Sequence, residues 1–297
     1  MQSAAAAAAA CIGTLLRCRC SLDPDPTRQQ GSTRVGFATA KRRPRAVTCQ
    51  RLLHPTARVD AAARDGVGSE GGGVTRKRLA VFVSGGGSNY QAIHEAAGRG
   101  RVNGDVVVLV TDKPGCGGAE HARGNGVPVV VYPKSKAAPE GVSTAELLNA
   151  LRELKVDFVL LAGYLKHVPV ELVQAYPRSI LNIHPSLLPA FGGKGYYGLK
   201  VHKAVIASGA RYSGPTVHFV DEHYDTGRTL AQRVVPVLTN DTPEQLAVRV
   251  LHELTSRTFQ EHQVYVEAVS ALCDDRIVWR EDGVPLIRCR INPDKYT

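Results

Sequence analysis

The stretch Leu181-Asn182-Ile183-His184-Pro185-Ser186-Leu187-Leu188-Pro189 marks the point where a buried strand must give way to a loop. Residues 179–183 form a short apolar run of strand character, and the two prolines cannot continue it as a central strand. At that break Asn182 and His184 stand two residues apart, which directs both side chains to one face of an extended chain. An amide donor beside a titratable imidazole suits a carbonyl that becomes an oxyanion and then exchanges a proton. A polar pair that merely caps the strand would have the same sequence.

Outward from this stretch, the chain from Arg76 onward alternates strands with helices, a pattern typical of a mostly parallel sheet covered on both faces. It predicts a single α/β domain over residues 76–297, built on a doubly wound sheet of about seven strands. The strands are predicted at Leu79–Ser84, Val106–Thr111, Pro128–Tyr132, Asp157–Ala162, Ser179–Ile183, Gly214–Val220 and Thr229–Val237. Helices are predicted near Asn89–Gly100, Gly117–Asn125, Ser143–Leu154 and Leu199–Ser208. Ligands of such sheets bind beyond the carboxyl ends of the strands.

The first strand leads into Ser84-Gly-Gly-Gly-Ser-Asn89. Glycines let the backbone approach an anion, and Ser88 or Asn89 can cap a helix whose free N–H groups face a phosphate. A dinucleotide fingerprint is the alternative, because the glycines follow a strand and Asp112 ends the next one. Tyr90 stands where that fingerprint needs its third glycine, so one phosphate monoester fits better than a pyrophosphate. A purely structural turn is the third interpretation.

Four motifs in chain order resemble the folate-dependent formyltransferases. They are Ser84–Asn89, Leu160-Leu-Ala-Gly-Tyr-Leu165, Asn182-Ile-His-Pro-Ser-Leu-Leu-Pro189, and Thr216-Val-His-Phe-Val220 followed by Asp225-Thr-Gly227. The resemblance covers roughly Leu79 to Pro285. It implies a Rossmann-like formyltransferase fold, 10-formyltetrahydrofolate as co-substrate, and no metal. The implied reaction moves the formyl group to the amine of glycinamide ribonucleotide, a step of purine synthesis.

The resemblance also assigns roles to individual residues of this sequence. It makes Asn182, His184 and Asp225 catalytic, with Asp225 raising the pKa of His184 and ordering a water that relays a proton. It places the substrate phosphate on Gly87, Ser88 and Asn89. It places the pterin of the formyl donor against Asn182 and largely against the backbone of Leu165, Lys166, His167 and Val168. His218, on the strand before Asp225, is expected either to face the active site or to be a satisfied core histidine.

The C-terminal helix begins at Asp241-Thr-Pro-Glu244 with a cap, a first-turn proline and an acid. From Arg249 it is predicted to continue to Gln263, with about seven residues, Leu254–Gln260, more than the resemblance leads us to expect. The family's substrate-contacting glutamate corresponds to Glu261 by local match, and to Glu253 by position counted from Arg249.

The first 75 residues have no acidic residue before Asp23 and no periodic apolar face. They are rich in alanine, arginine, serine and glycine, which predicts a disordered organellar transit peptide. The expected destination is the plastid stroma, with the mitochondrion as the alternative, and a native disordered tail is the competing interpretation. Nothing in the sequence resembles a membrane span of about 20 apolar residues.

Almost all of the net charge of +10 lies in the first 78 residues, which are the leader together with Arg76, Lys77 and Arg78. Residues 1–78 hold 14 lysines and arginines against 5 acids, and the remaining 219 residues hold 23 against 22. The predicted domain therefore lacks the basic excess typical of nucleic-acid binding. Its three cysteines, Cys116, Cys273 and Cys289, have no metal-ligand spacing, which indicates a reduced enzyme domain that acts on small molecules. The sequence does not predict an oligomeric state.

Other classes of enzyme remain possible on this scaffold. A 10-formyltetrahydrofolate hydrolase shares the central motif but usually carries an N-terminal regulatory domain, which the low-complexity leader cannot supply. A tRNA-directed formyltransferase needs a further basic C-terminal domain, and too few residues follow the last predicted helix. A nicotinamide-dependent oxidoreductase is disfavoured by Tyr90.

Overall fold

The computed structural model describes residues 75–136, 138–255 and 264–296. The predicted leader lies outside these ranges apart from Thr75, as does Glu261. The strands are β1 (Lys77–Val83), β2 (Gly104–Thr111), β3 (Val129–Val131), β4 (Phe158–Leu161), β5 (Ile180–His184), β6 (Tyr212–Ser213), β7 (Thr216–Phe219), β8 (Thr229–Gln232), β9 (Val235–Pro236), β10 (Ile277–Trp279) and β11 (Pro285–Ile287). The helices are α1 (Ser88–Gly98), α2 (Gly117–Gly124), α3 (Thr144–Glu153), α4 (Val170–Ala175), α5 (Leu199–Ala207), α6 (Pro243–Thr255) and α7 (Val264–Cys273).

Seven strands form the main sheet in the order β3-β2-β1-β4-β5-β7-β8. The first five in this order pair in parallel, whereas β7 and β8 are antiparallel to their neighbours. The predicted doubly wound, mostly parallel α/β sheet of seven strands is thus confirmed. The order reverses between β1 and β4, and a crevice for ligands forms at such a switch point.

The central strand β1 shows why the sheet is covered on both faces. Leu79, Val81 and Val83 pack in one apolar cluster with residues of α1 and α7. The alternate residues Ala80 and Phe82 pack in a second cluster with residues of α3. Because successive side chains of a strand point to opposite faces, an uninterrupted apolar run can fill two cores at once.

The strand predicted at Thr229–Val237 is divided in the structure. β8 ends at Gln232, and β9 pairs with β6 in a separate two-stranded sheet. At the break, Arg233 donates its N–H to the carbonyl of Pro215, and the carbonyl of Arg233 lies where a Cβ on Gly214 would be, 1.9 Å away. This backbone approach turns the chain out of the main sheet, and the alternating sequence does not reveal it. The sequence also failed to predict α4 and the β10–β11 hairpin.

The two C-terminal helices, α6 and α7, complete the described domain. α6 begins as predicted: the Thr242 hydroxyl accepts from the N–H of Gln245, and the Gln245 side chain accepts from the N–H of Thr242. The predicted insertion falls largely on residues 256–260, outside the described ranges. The hydroxyl of Tyr265 on α7 donates to the carbonyls of Leu161 and Leu181, 3.1 and 3.2 Å away, and so ties the helix to β4 and β5. None of the described helices has both the length and the apolar character of a bilayer-spanning segment.

Candidate active site

The loop after β1 presents a helix N-terminus to the crevice. Gly87 is the N-cap of α1 with φ 76°, and no side chain caps the helix. This corrects the prediction that Ser88 or Asn89 supplies a cap, and it leaves the first-turn N–H groups for an anion. The buried Oδ1 of Asn89 has no hydrogen-bond partner among the described residues. Tyr90 is fully buried in the core, and burial raises its pKa to about 12.

The glycine-rich loop 84–89, which we call the phosphate loop after the ligand predicted for it, packs backbone to backbone against the start of α2. A Cβ on Gly87 would lie 2.6 Å from the Cα of Gly118, whereas a Cβ on Gly85 would meet nothing within 4 Å. The N–H of Gly118 donates to the carbonyl of Gly85 at 3.1 Å. Position 87 therefore requires glycine for two reasons: its φ is left-handed, and a Cβ would clash with Gly118.

We expect Gly87→Ala to raise the KM for the phosphate-bearing substrate and to lower the free energy of unfolding by roughly 1–3 kcal/mol, because it forces strain on this turn. Urea unfolding and substrate titration would measure both effects. Gly85→Ala is the matched control in the same loop and should change neither quantity. Equal behaviour of the two variants would contradict the assigned role of Gly87.

Ser84 joins this loop to the one that follows β4. Its N–H donates to the carbonyl of Gly163 at 3.1 Å, and its hydroxyl accepts from the N–H of Leu165 at 2.9 Å. The N–H of Leu165 is thus already used. The N–H groups of Lys166, His167 and Val168 make no hydrogen bond within the described residues. These three are free to meet a flat polar ring.

His184 at the end of β5 is the centre of the polar cluster and is only 4% exposed. Its Nε2 lies 2.9 Å from the carbonyl oxygen of Phe191, and its Nδ1 lies 3.5 Å from Oδ2 of Asp225. Burial lowers the pKa of His184, and the nearby Asp225 and the Phe191 carbonyl oppose this without reversing it. The predicted raising effect of Asp225 on the pKa of His184 is present, but desolvation is stronger and the net direction is downward.

Asp225 is held in an unusual backbone conformation by its own loop. Its φ is 56°, and it accepts a hydrogen bond from the N–H of Gly193 at 2.9 Å. Burial opposes its ionisation, but His218, His184 and this N–H outweigh burial, so the pKa of Asp225 lies below its usual value. At Gly227 a Cβ would lie 1.8 Å from the carbonyl oxygen of Phe219, so glycine lets this loop fold tightly against β7. Asp221 also stabilises the loop by accepting a hydrogen bond from the Thr226 hydroxyl at 2.8 Å.

His218 links Asn182 to Asp225. It lies opposite Asn182 in the antiparallel register of β5 and β7 and is 1% exposed. Its Nδ1 donates to the carbonyl of Phe219 at 2.9 Å, so the neutral ring accepts from the Asn182 amide at Nε2, 3.0 Å away. The same Nε2 is 3.6 Å from Oδ1 of Asp225. His218 therefore faces the active site, and it fixes the orientation of the Asn182 amide.

A hydrogen-bonded frame holds the loop that follows His184. The Thr216 hydroxyl donates to the carbonyl of Ser186 at 2.7 Å and accepts from the N–H of Leu188 at 3.0 Å. The Ser186 hydroxyl donates to the carbonyl of Ala190 at 3.0 Å. Because Thr216 is on β7, this frame sets the position of the Phe191 carbonyl that contacts His184.

One cavity of about 320 Å³ unites most of the predicted residues. Its walls include Asn89, Asn182, His184, Asp225 and all of Leu165–Val168. Gly87 and Ser88 do not line it, although they adjoin Asn89. Lys166 is 4.0 Å from Asp112, and the ring of His167 stacks edge-on against Tyr224 with centroids 4.8 Å apart. The glycine-rich sequence of residues 191–198 indicates a loop that can close over a ligand. In the structure this loop supplies the N–H of Gly193 to Asp225 and places Tyr196 and Tyr197 in the cavity wall.

The chain matches the family described as "Formyl transferase" over residues 77–269, and it belongs to that family. It is 68% identical over 223 residues to "Phosphoribosylglycinamide formyltransferase, chloroplastic" of Vigna unguiculata, which covers 75% of this chain and 69% of that protein. The Arabidopsis thaliana protein of the same name is 67% identical over 222 residues, with 74% of each chain covered. The crystal structure of glycinamide ribonucleotide transformylase 1 from Symbiobacterium toebii is 36% identical, with a TM-score of 0.61 over 73% of this chain and 97% of that one.

Proposed function

We propose that this chain transfers the formyl group of 10-formyltetrahydrofolate to the amine of glycinamide ribonucleotide, giving formylglycinamide ribonucleotide and tetrahydrofolate in de novo purine biosynthesis. The observation that carries the proposal is the Asn182–His184–Asp225 cluster in one cavity with Asn89 of the phosphate loop. The high identity to plant enzymes named for this reaction supports the choice of substrates. The alternative is hydrolysis of the same donor.

The transition state of this reaction carries two opposite charges, and the site must stabilise both. Attack of a neutral amine on the formyl carbon puts negative charge on the formyl oxygen and positive charge on the nitrogen. Asn182 donates one amide N–H to His218, which leaves the other N–H for the oxygen. His184 is the second donor through Nδ1, because its Nε2–H already donates to the Phe191 carbonyl. Nδ1 carries a hydrogen when the ring is protonated, and the charged ring makes the stronger hydrogen bond.

The surroundings of His184 favour its protonated form only when negative charge develops on the formyl oxygen. Burial holds the pKa of His184 below its usual value. An oxyanion beside the ring adds negative charge to that of Asp225, and both favour the imidazolium. We therefore assign Asp225 two tasks: stabilising this imidazolium, and ordering a water that carries the proton away from the amine.

The two substrates are assigned to different loops at the edge of the sheet. The phosphate of the ribonucleotide is assigned to Gly87, Ser88 and Asn89 at the N-terminus of α1. The pterin is assigned to Leu165–Val168 with Asn182, where the free N–H groups at 166–168 recognise the flat ring and the Leu165 N–H keeps the loop in place. The proposed formyl donor is a folate. Within the described residues, no group of three His, Cys, Asp or Glu side chains could hold a metal ion.

Supplying the donor to a version of the protein that begins at residue 71, with and without glycinamide ribonucleotide, tests the proposal. Tetrahydrofolate and formylated amine should appear in equal amounts, and only when the amine is present. Turnover of the donor without the amine would favour the hydrolase instead.

The plastid is the proposed location. Relatives from three plants are named chloroplastic, and the acid-poor composition of residues 1–75 fits an import signal. We expect a fluorescent protein fused to residues 1–75 to enter plastids, and the same protein fused to residues 76–150 to stay in the cytosol. Retention of the first fusion in the cytosol would overturn the assignment.

The substrate contact proposed for Glu261 is tested by removing the extra residues before it. If Leu254–Gln260 displaces this glutamate, their deletion should lower the KM for the ribonucleotide several-fold and leave the KM for the folate unchanged. Glu261→Gln in the shortened chain should then reverse the gain, since it removes the carboxylate. Identical kinetics of the full and shortened chains would show that distance from Arg249 does not position Glu261.

A further inference from the structure

A second cavity of about 840 Å³ shares no lining residue with the first. It lies between the edge strand β8, helix α7 and the segment Ile287–Ile291, and Arg101 reaches it from the turn between α1 and β2. Cavities of about 300–1,000 Å³ are typical of small-molecule sites. We refer to this cavity as the arginine groove.

Positive charge dominates the groove. Among the residues that the structure describes, its lining contains five arginines and a single acid, Glu267. The arginines are Arg101, Arg233, Arg276, Arg288 and Arg290. Asp274 adjoins the groove and contacts two of them. Five cations thus face two carboxylates, although the described domain as a whole has nearly balanced charge.

The carboxylates leave part of this charge unmatched. Arg233 pairs with Glu267 at 3.0 Å, and Arg276 and Arg290 share Asp274. The side chains of Arg101 and Arg288 make neither an ion pair nor a hydrogen bond with any described residue. Two guanidinium groups are therefore available in one groove, and a guanidinium suits bidentate binding of phosphate oxygens.

The remaining walls are apolar. Leu230 and Ala231 of β8, Val264 and Val266 of α7, and Ile287 contribute to them, and Ile291 stands 95% exposed at the rim. Leu230, Val264 and Val266 are buried in the core beneath the groove, whereas Ala231 and Ile287 are only partly buried. A bare inorganic anion would leave Ala231, Ile287 and Ile291 exposed to water. A ligand with a flat or apolar body and a multiply charged end uses both parts of the groove.

We propose that the arginine groove binds a phosphorylated small molecule of the nucleoside diphosphate class. The diphosphate lies against Arg101 and Arg288, and the base lies against the apolar wall formed by β8 and Ile287. The site is separate from the cavity that holds His184, and it does not depend on the activity proposed above.

Calorimetric titration of the full chain with adenosine diphosphate, in the absence of both substrates, tests the site. Wild-type protein should bind, and hydrogen exchange should show protection at residues 229–233 and 287–291. Arg101→Gln/Arg288→Gln should weaken binding about ten-fold or more, since hydrogen bonds to charged groups are lost. It removes no ion pair or side-chain hydrogen bond among the described residues, so unfolding in urea should be unchanged.

Arg123→Gln/Arg211→Gln is the matched control, because it removes two exposed arginines that line neither cavity. It should bind like the wild type. Inorganic pyrophosphate should bind at least several-fold more weakly than adenosine diphosphate, since it cannot contact the apolar wall. Absence of binding at millimolar ligand, equal weakening in both double variants, equal affinity for pyrophosphate, or protection confined to residues 84–89 would each overturn the proposal.

Discussion

His184→Ala is expected to lower kcat by about 10²–10⁴-fold, the range associated with loss of a general acid or an oxyanion donor. The ring is buried, contacts Asp225 and the Phe191 carbonyl, and lies in the wall of the cavity with Asn182. Its removal takes away the titratable donor at the end of β5, and the neighbouring His218 on β7 is already engaged with Asn182 and the Phe219 carbonyl. Steady-state assays with both substrates saturating would measure the loss, and thermal unfolding would show that the variant is folded.

His184→Gln is the informative companion to this variant. Glutamine can still donate a hydrogen bond to the formyl oxygen, but it cannot carry the positive charge. We expect it to recover part of the activity and to lose the pH dependence that His184 causes. A His184→Ala enzyme within ten-fold of wild-type kcat would contradict the assignment of the ring as a donor in the transition state.

Asp225→Asn is the second change with a large expected effect, a loss of two or more orders of magnitude in kcat. The carboxylate raises the pKa of His184 against the stronger effect of burial. Its removal lowers that pKa further, so at any given pH less of the ring is protonated. Activity that needs the imidazolium is lost as pH rises through its pKa, and the alkaline limb of the pH–rate profile should therefore move to lower pH.

The control for Asp225→Asn comes from the same loop. Asp221→Asn removes a carboxylate that contacts Thr226 and the N–H of His223, and it keeps an oxygen that can accept both hydrogen bonds. It should leave the alkaline limb in place. If Asp225→Asn shows wild-type turnover and an unmoved limb, Asp225 is only a structural residue of the loop.

The positions of the motifs could be predicted from the sequence because local rules determine them. Alternating and continuous apolar runs predict strands, and the prolines after His184 and the glycines after Ser84 must end them. In a parallel sheet the carboxyl ends of strands share one edge, so these loops were expected to meet. The structure places Asn89, Leu165, Asn182 and His184 around one cavity accordingly. Local patterns did not predict the break after Gln232, which depends on the approach of the Arg233 carbonyl to Gly214.

Tertiary structure alone decided the partners of the side chains that we propose to be catalytic. His218 meets Asn182 because β5 and β7 pair antiparallel in one register, and a slip of one residue would turn His218 to the other face of the sheet. Likewise, Asp225 accepts a hydrogen bond from the N–H of Gly193, which lies in a loop 32 residues earlier. Arg101 lines the arginine groove together with residues that follow it by more than 120 positions in the sequence. A sequence pattern predicts the secondary structure of one continuous segment at a time. Contacts between distant segments depend on sheet register and loop packing, which only the folded chain defines.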